Sequence, residues 1–134
     1  MFLHALLIGY ILVSSGIGSR YAPGKFEAVI RNRQRYGQLP MELPEDIDGY
    51  MTLPYPEDIG KVFLVCFEDG ECDRLLVADC AGVTDGGLAW MLNGGVAAEV
   101  DHETAERHGA NPALPMIRIY EEVPLPKQYR YLIQ

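Results

Sequence analysis

The sequence predicts a small, mostly β barrel carrying one short helix, and three observations lead there. The first is size: 134 residues, 49% of them hydrophobic, suffice for one domain with a modest core. The second is punctuation: 14 glycines and 9 prolines divide the chain into short elements, which favours strands over a helical bundle. The third is order. Strand-like runs alternate with turn-rich loops, and only one segment reads as a helix.

The chain opens on an apolar run, Phe2 to Val13, with no charged side chain before Arg20. Such a run, followed by Ser14, Ser15, Gly16 and Gly18, fits the core and cleavage region of a signal peptide. A membrane anchor through residues 2–18 is the alternative. Both place residues 1–18 outside the folded barrel and the protein at the cell envelope or beyond it. Next, "KFEAVIR" (25–31) reads as a strand. Residues 37–58 carry four prolines among many acids, and such a stretch is expected to be a surface loop.

"KVFLVCF" (61–67) and "DRLLVADC" (73–80) are β-type runs joined through Asp69-Gly70, a hairpin signal. A hairpin centred there sets Cys66 opposite Cys72, within about 4.5–5.5 Å at Cα. A Cys66–Cys72 disulfide with Cys80 free is one reading, and three reduced small hydrophobes the other. A glycine-rich crossing follows, and then "VDHETAERHG" (100–109) reads as the short helix. Asp101 is its N-cap, Val100 and Ala105 the flanking apolar pair, and Gly109 its stop. "MIRIYEEV" (116–123) reads as the last strand. The expected division is a leader at 1–18, a barrel domain at 19–122 and a tail at 123–134.

Several classes of function are disfavoured. A net charge of −8 argues against a nucleic-acid partner, since phosphate binding needs a basic face. Five of the eleven basic residues, Arg20, Lys25, Arg31, Arg33 and Arg35, cluster before position 36, as a solvated rim or a local anion contact. The three cysteines form no C-x-x-C pair, and the histidines at 4, 102 and 108 stand in no ligand spacing with them, so no metal site is expected. The glycines match neither a phosphate loop nor a dinucleotide fingerprint, and no cofactor is implied.

Four stretches, in order, resemble the double-psi β-barrel family that includes rare lipoprotein A, the expansins and the barwin-like proteins. "GSRYAPGKF" (18–26) is similar to its opening strand, and "TLP" (52–54) with "IGKVFLV" (59–65) to its central strands. "LLVADCAG" (75–82) looks like the strand end that carries its aspartate, and "VDHETAERHG" like its helix. The resemblance implies a six-stranded double-psi barrel with a surface groove for polysaccharide. In lytic members an acid in that groove helps to cleave peptidoglycan, and the matching residue here is Asp79. Period-2 alternation sets Leu75, Val77 and Asp79 on one face, at the edge of which a carboxyl is partly desolvated, as a general acid requires. The competing role for Asp79 is an Asx-type turn cap.

The match departs from the lytic pattern at two places. "NRQRY" (32–36) offers Gln34 where those members carry a glutamate, and "GYMTLP" (49–54) offers Tyr50 in place of a histidine. Gln34 can hydrogen-bond but cannot exchange a proton. Tyr21, Gln34, Tyr50, Asp85 and Trp90 are the candidate glycan contacts. Trp90 serves either as a sugar platform or as a core plug, and Asp85 either as a second carboxylate or as an exposed turn residue. The expected function is that of an exported, monomeric protein acting on cell-wall glycan by lytic-transglycosylase-like chemistry, with Asp79 as acid/base. A non-catalytic wall-binding module is the alternative, and a structural surface or virion barrel a third.

Overall fold

The computed structural model describes residues 8–109 and 114–125. In chain order come β1 (Ile8–Arg20), α1 (Lys25–Arg35), β2 (Gly49–Leu53), a 3-10 turn (Pro56–Asp58), β3 (Val62–Phe67) and β4 (Cys72–Cys80). Then follow α2 (Gly87–Gly94), β5 (Val96–Val100), α3 (His102–Arg107) and β6 (Leu114–Pro124). The six strands close into a ring in the order β1-β5-β2-β4-β3-β6. β1 runs parallel to β5, and β2 parallel to β4; every other neighbouring pair is antiparallel.

The expected hairpin is present. Cys66 pairs with Cys72 in the antiparallel β3–β4 ladder, and the two form a disulfide. The helix at 101–108 is present as α3, its N-cap Asp101 accepting the Thr104 N–H. Gly109 takes the left-handed conformation (φ 75°) that ends it. The strand at 116–123 lies within β6.

Four expectations are corrected. The described barrel already includes residues 8–19, because β1 takes in the second half of the apolar run and bonds β5 on one side and β6 on the other. Residues 1–7 of the expected leader and 126–134 of the expected tail lie outside the described residues. Residues 25–31 form helix and not strand. Phe26 and Ile30, four apart, share the buried face of α1 and cover the outside of the sheet at Ala78. The proline-rich stretch 37–58 contains β2, whose Met51, Thr52 and Leu53 are buried between β4 and β5. Lastly, the glycine-rich crossing folds into α2, so the described chain has three helices where one was expected.

Met51, Val65, Leu75, Val77, Val100, Ile117 and Ile119 fill the barrel interior. A second cluster, Phe26, Ile30, Leu39 and Ala78, lies under α1. β4 is therefore covered on both faces, which is why Leu75, Leu76, Val77 and Ala78 are all buried in succession. Between Met51 and Thr52 the β2–β4 register shifts, so that Met51 faces Val77 while Thr52 faces Asp79. Ala78 is the extra residue of a bulge. Such a bulge re-aims the side chain that follows it, and that side chain is Asp79.

Candidate functional site

The register sets four residues in a row across the sheet: Asp79 on β4, Thr52 on β2, Glu99 on β5 and Ser19 on β1. Tyr21, just after β1, reaches over this row. Its hydroxyl accepts a hydrogen bond from Thr52 Oγ1 (2.8 Å) and donates one to Asp79 Oδ2 (3.0 Å). From α1, Arg33 Nη2 donates to Asp79 Oδ1 at 2.6 Å, and the same oxygen accepts the Cys80 N–H at 2.9 Å. The carboxylate of Asp79 thus has three donors and forms an ion pair whose two side chains are about one-fifth exposed. It is not folded back onto the amides of Ala81 or Gly82.

Alternation alone would put Asp79 on the face of Leu75 and Val77, inside the barrel. Because of the bulge, it joins Ala78 on the side covered by α1, where Arg33 waits. Tyr21 stacks on Phe26 with ring centroids 4.3 Å apart, and the Lys25 ammonium lies 5.3 Å from its ring centre. Burial is the main reason why the Tyr21 phenol is pushed above its ordinary range, with the charges of Asp79 and Glu99 adding to it. Burial likewise raises the Glu99 carboxyl; Lys25 opposes that shift and Asp79 adds to it. Two carboxylates, one phenol and two cations therefore meet on one patch of the outer wall.

Of the expected contacts, only Tyr21 meets Asp79. Gln34 points away, its amide donating to the carbonyls of Pro40 and Met41. The Tyr50 ring belongs to the cluster under α1, stacked 6.1 Å from Phe26, and its N–H donates to Asp101 Oδ1. Asp85 is an exposed turn residue that accepts the Gly87 N–H. Trp90 stands 49% exposed on α2 and does not plug the core. Asp101 also takes the Thr104 hydroxyl at 2.6 Å, so it ties α3 to β2.

The sequence reading placed Arg33 in a basic cluster open to a local anion contact without pairing it with Asp79, and it missed Glu99. For Glu99 there was a signal, since it is the one acid inside the apolar run "VAAEV". One cluster has the donor spacing for a cation: ligand atoms of Asp69, Glu71 and His108 lie within 4.8 Å of one another. Its imidazole is already engaged, Nδ1 lying 2.6 Å from Asp69 and Nε2 2.8 Å from Asp73. That gives the cluster a structural use, which is to pin α3 to the β3–β4 hairpin.

Asp79 lines neither of two nearby cavities. One, of about 410 Å3, sits at the end of the barrel between Leu53, Phe63, Met91 and Ile119; the other, of about 60 Å3, lies beside Phe26 and Tyr50. No described helix is long and apolar enough to cross a membrane. No protein-family model, curated protein or solved structure matches the chain.

Proposed function

We propose that the chain is a double-psi β-barrel that binds cell-wall glycan, peptidoglycan in the first instance, on the Asp79 face without cutting it. The parallel pairs β1–β5 and β2–β4 within an otherwise antiparallel ring support the fold assignment. The observation that carries the non-catalytic reading is the Asp79 carboxylate itself. Its two oxygens already accept from Arg33, Tyr21 and the Cys80 amide, so both are engaged within the fold and neither is turned toward a glycosidic oxygen. Sugar hydroxyls would be met by the polar rim of Lys25, Arg33 and Glu99. The Cys66–Cys72 disulfide supports an oxidising compartment, and with it export to the envelope.

The second reading keeps the lytic chemistry, with Asp79 as acid/base. Glu99 favours it, because a second carboxyl, desolvated and two strands away, supplies the partner that glycosidic cleavage ordinarily uses. Sedimentation with purified sacculi, followed by mass spectrometry of the supernatant, separates the two readings. The protein is expected to pellet with sacculi and to release no anhydro-muropeptides. Asp79→Asn, which breaks the ion pair, is expected to weaken pelleting about tenfold. Release of anhydro-muropeptides that Asp79→Asn abolishes would establish the lytic reading. Failure to pellet at all would leave a structural surface barrel.

A further inference from the structure

We propose that the cavity at the end of the barrel is a binding site for a small organic cation with an apolar body, an alkylammonium in chemical class. Its volume of about 410 Å3 lies in the range of small-molecule sites, and a barrel mouth is a usual place for one. The walls are apolar, built from Leu53, Phe63, Met91, Leu92 and Ile119. The charged groups at its edge are two acids, Asp58 and Glu121, and one base, Lys61.

The balance of those charges selects the ligand. Lys61 Nζ holds Asp58 at 2.9 Å, so these two neutralise each other. Glu121 is exposed, makes no hydrogen bond or ion pair with the described residues and shares the field of Lys61 with Asp58, so two acids face one base and the mouth carries one net negative charge. An ammonium head meets that charge while its chain lies against Val13, Tyr55 and Leu92, the exposed apolar residues of the lining. A carboxylate head would meet repulsion there. This site is separate from the proposed glycan face, since Tyr21, Arg33, Asp79 and Glu99 line none of it.

Calorimetric titration of the full chain with octylammonium and with octanoate tests the inference. Octylammonium is expected to bind saturably at one site, about tenfold more tightly than octanoate. Glu121→Gln is expected to erase that preference and retain weak binding of both. Ser15→Phe adds bulk at an exposed position on the cavity wall and is expected to abolish binding without altering the circular dichroism. Should that variant fail to fold, the Glu121→Gln comparison decides alone. Absence of saturable binding, equal binding of octanoate, or a preference that survives Glu121→Gln overturns the proposal. Loss of sacculus pelleting would leave it untouched.

Discussion

At the scale of single residues, close approach and burial decide most. Gly49 opens β2 where the strand passes the cap of α3, and a Cβ there would collide with Thr104 Oγ1 and lie 2.5 Å from Asp101 Oδ1. Both partners are buried and bonded to each other, so neither can yield. Gly49→Ala is expected to cost about 2–3 kcal/mol, read as a lower urea midpoint. Glu99 gives a pH signature. Its carboxyl is raised above the ordinary 4.5 by burial, so the folded state holds this proton more tightly than the unfolded chain does. The stability it contributes is present below 4.5 and is lost as pH rises through the folded value. Glu99→Gln removes that loss. Its urea midpoint is expected to exceed that of the parent protein at pH 7 and to converge with it near pH 4. A gap that is constant with pH would contradict this.

At the scale of elements, the β3–β4 hairpin is the best-secured piece. A disulfide closes it over a separation of six residues, and His108 of the α3 end stacks on Phe67 at 3.7 Å while touching Asp69 and Asp73. Hydrogen bonds from His108 and Arg107 overcome burial and hold the Asp73 carboxyl below its ordinary range. For a loop this short, the chain-entropy account assigns the disulfide about 2 kcal/mol. Replacing Cys66 and Cys72 by serine is therefore expected to lower Tm by several degrees in a scan that leaves the fold intact. Adding reductant to the parent protein should reproduce the shift. α1 shows the opposite dependence. Alone it has a modest apolar face, and what holds it is the outer surface of β4 on which Phe26 and Ile30 lie.

At the scale of the whole molecule, closure of the ring rests on β1. It is the strand that joins β5 to β6, and without it the sheet has two free edges and an uncovered core. Deletion of residues 1–18, the cut that a leader ending there would make, is expected to give a chain with no cooperative unfolding transition by circular dichroism. A deletion variant that melts cooperatively would show that the other five strands fold unaided.

What could be read from the sequence was local. The Asp-Gly turn, the opposed cysteines, the Asp101 cap and the Gly109 stop each act within a few residues, and each is where the reading put it. Tertiary structure decided what depends on partners far along the chain. Residues 25–31 became a helix because β4 needed cover on its outer face, and 49–53 became a strand because β4 and β5 bond it on both sides. The site was divided in the same way. Asp79 could be named from its place at a strand end, but its direction was set by a bulge, and its partners Arg33 and Glu99 came from a helix and a strand that only the closed barrel brings together. Turn and cap chemistry is written into adjacent residues. Pairing, register and burial depend on which distant segment comes to lie alongside.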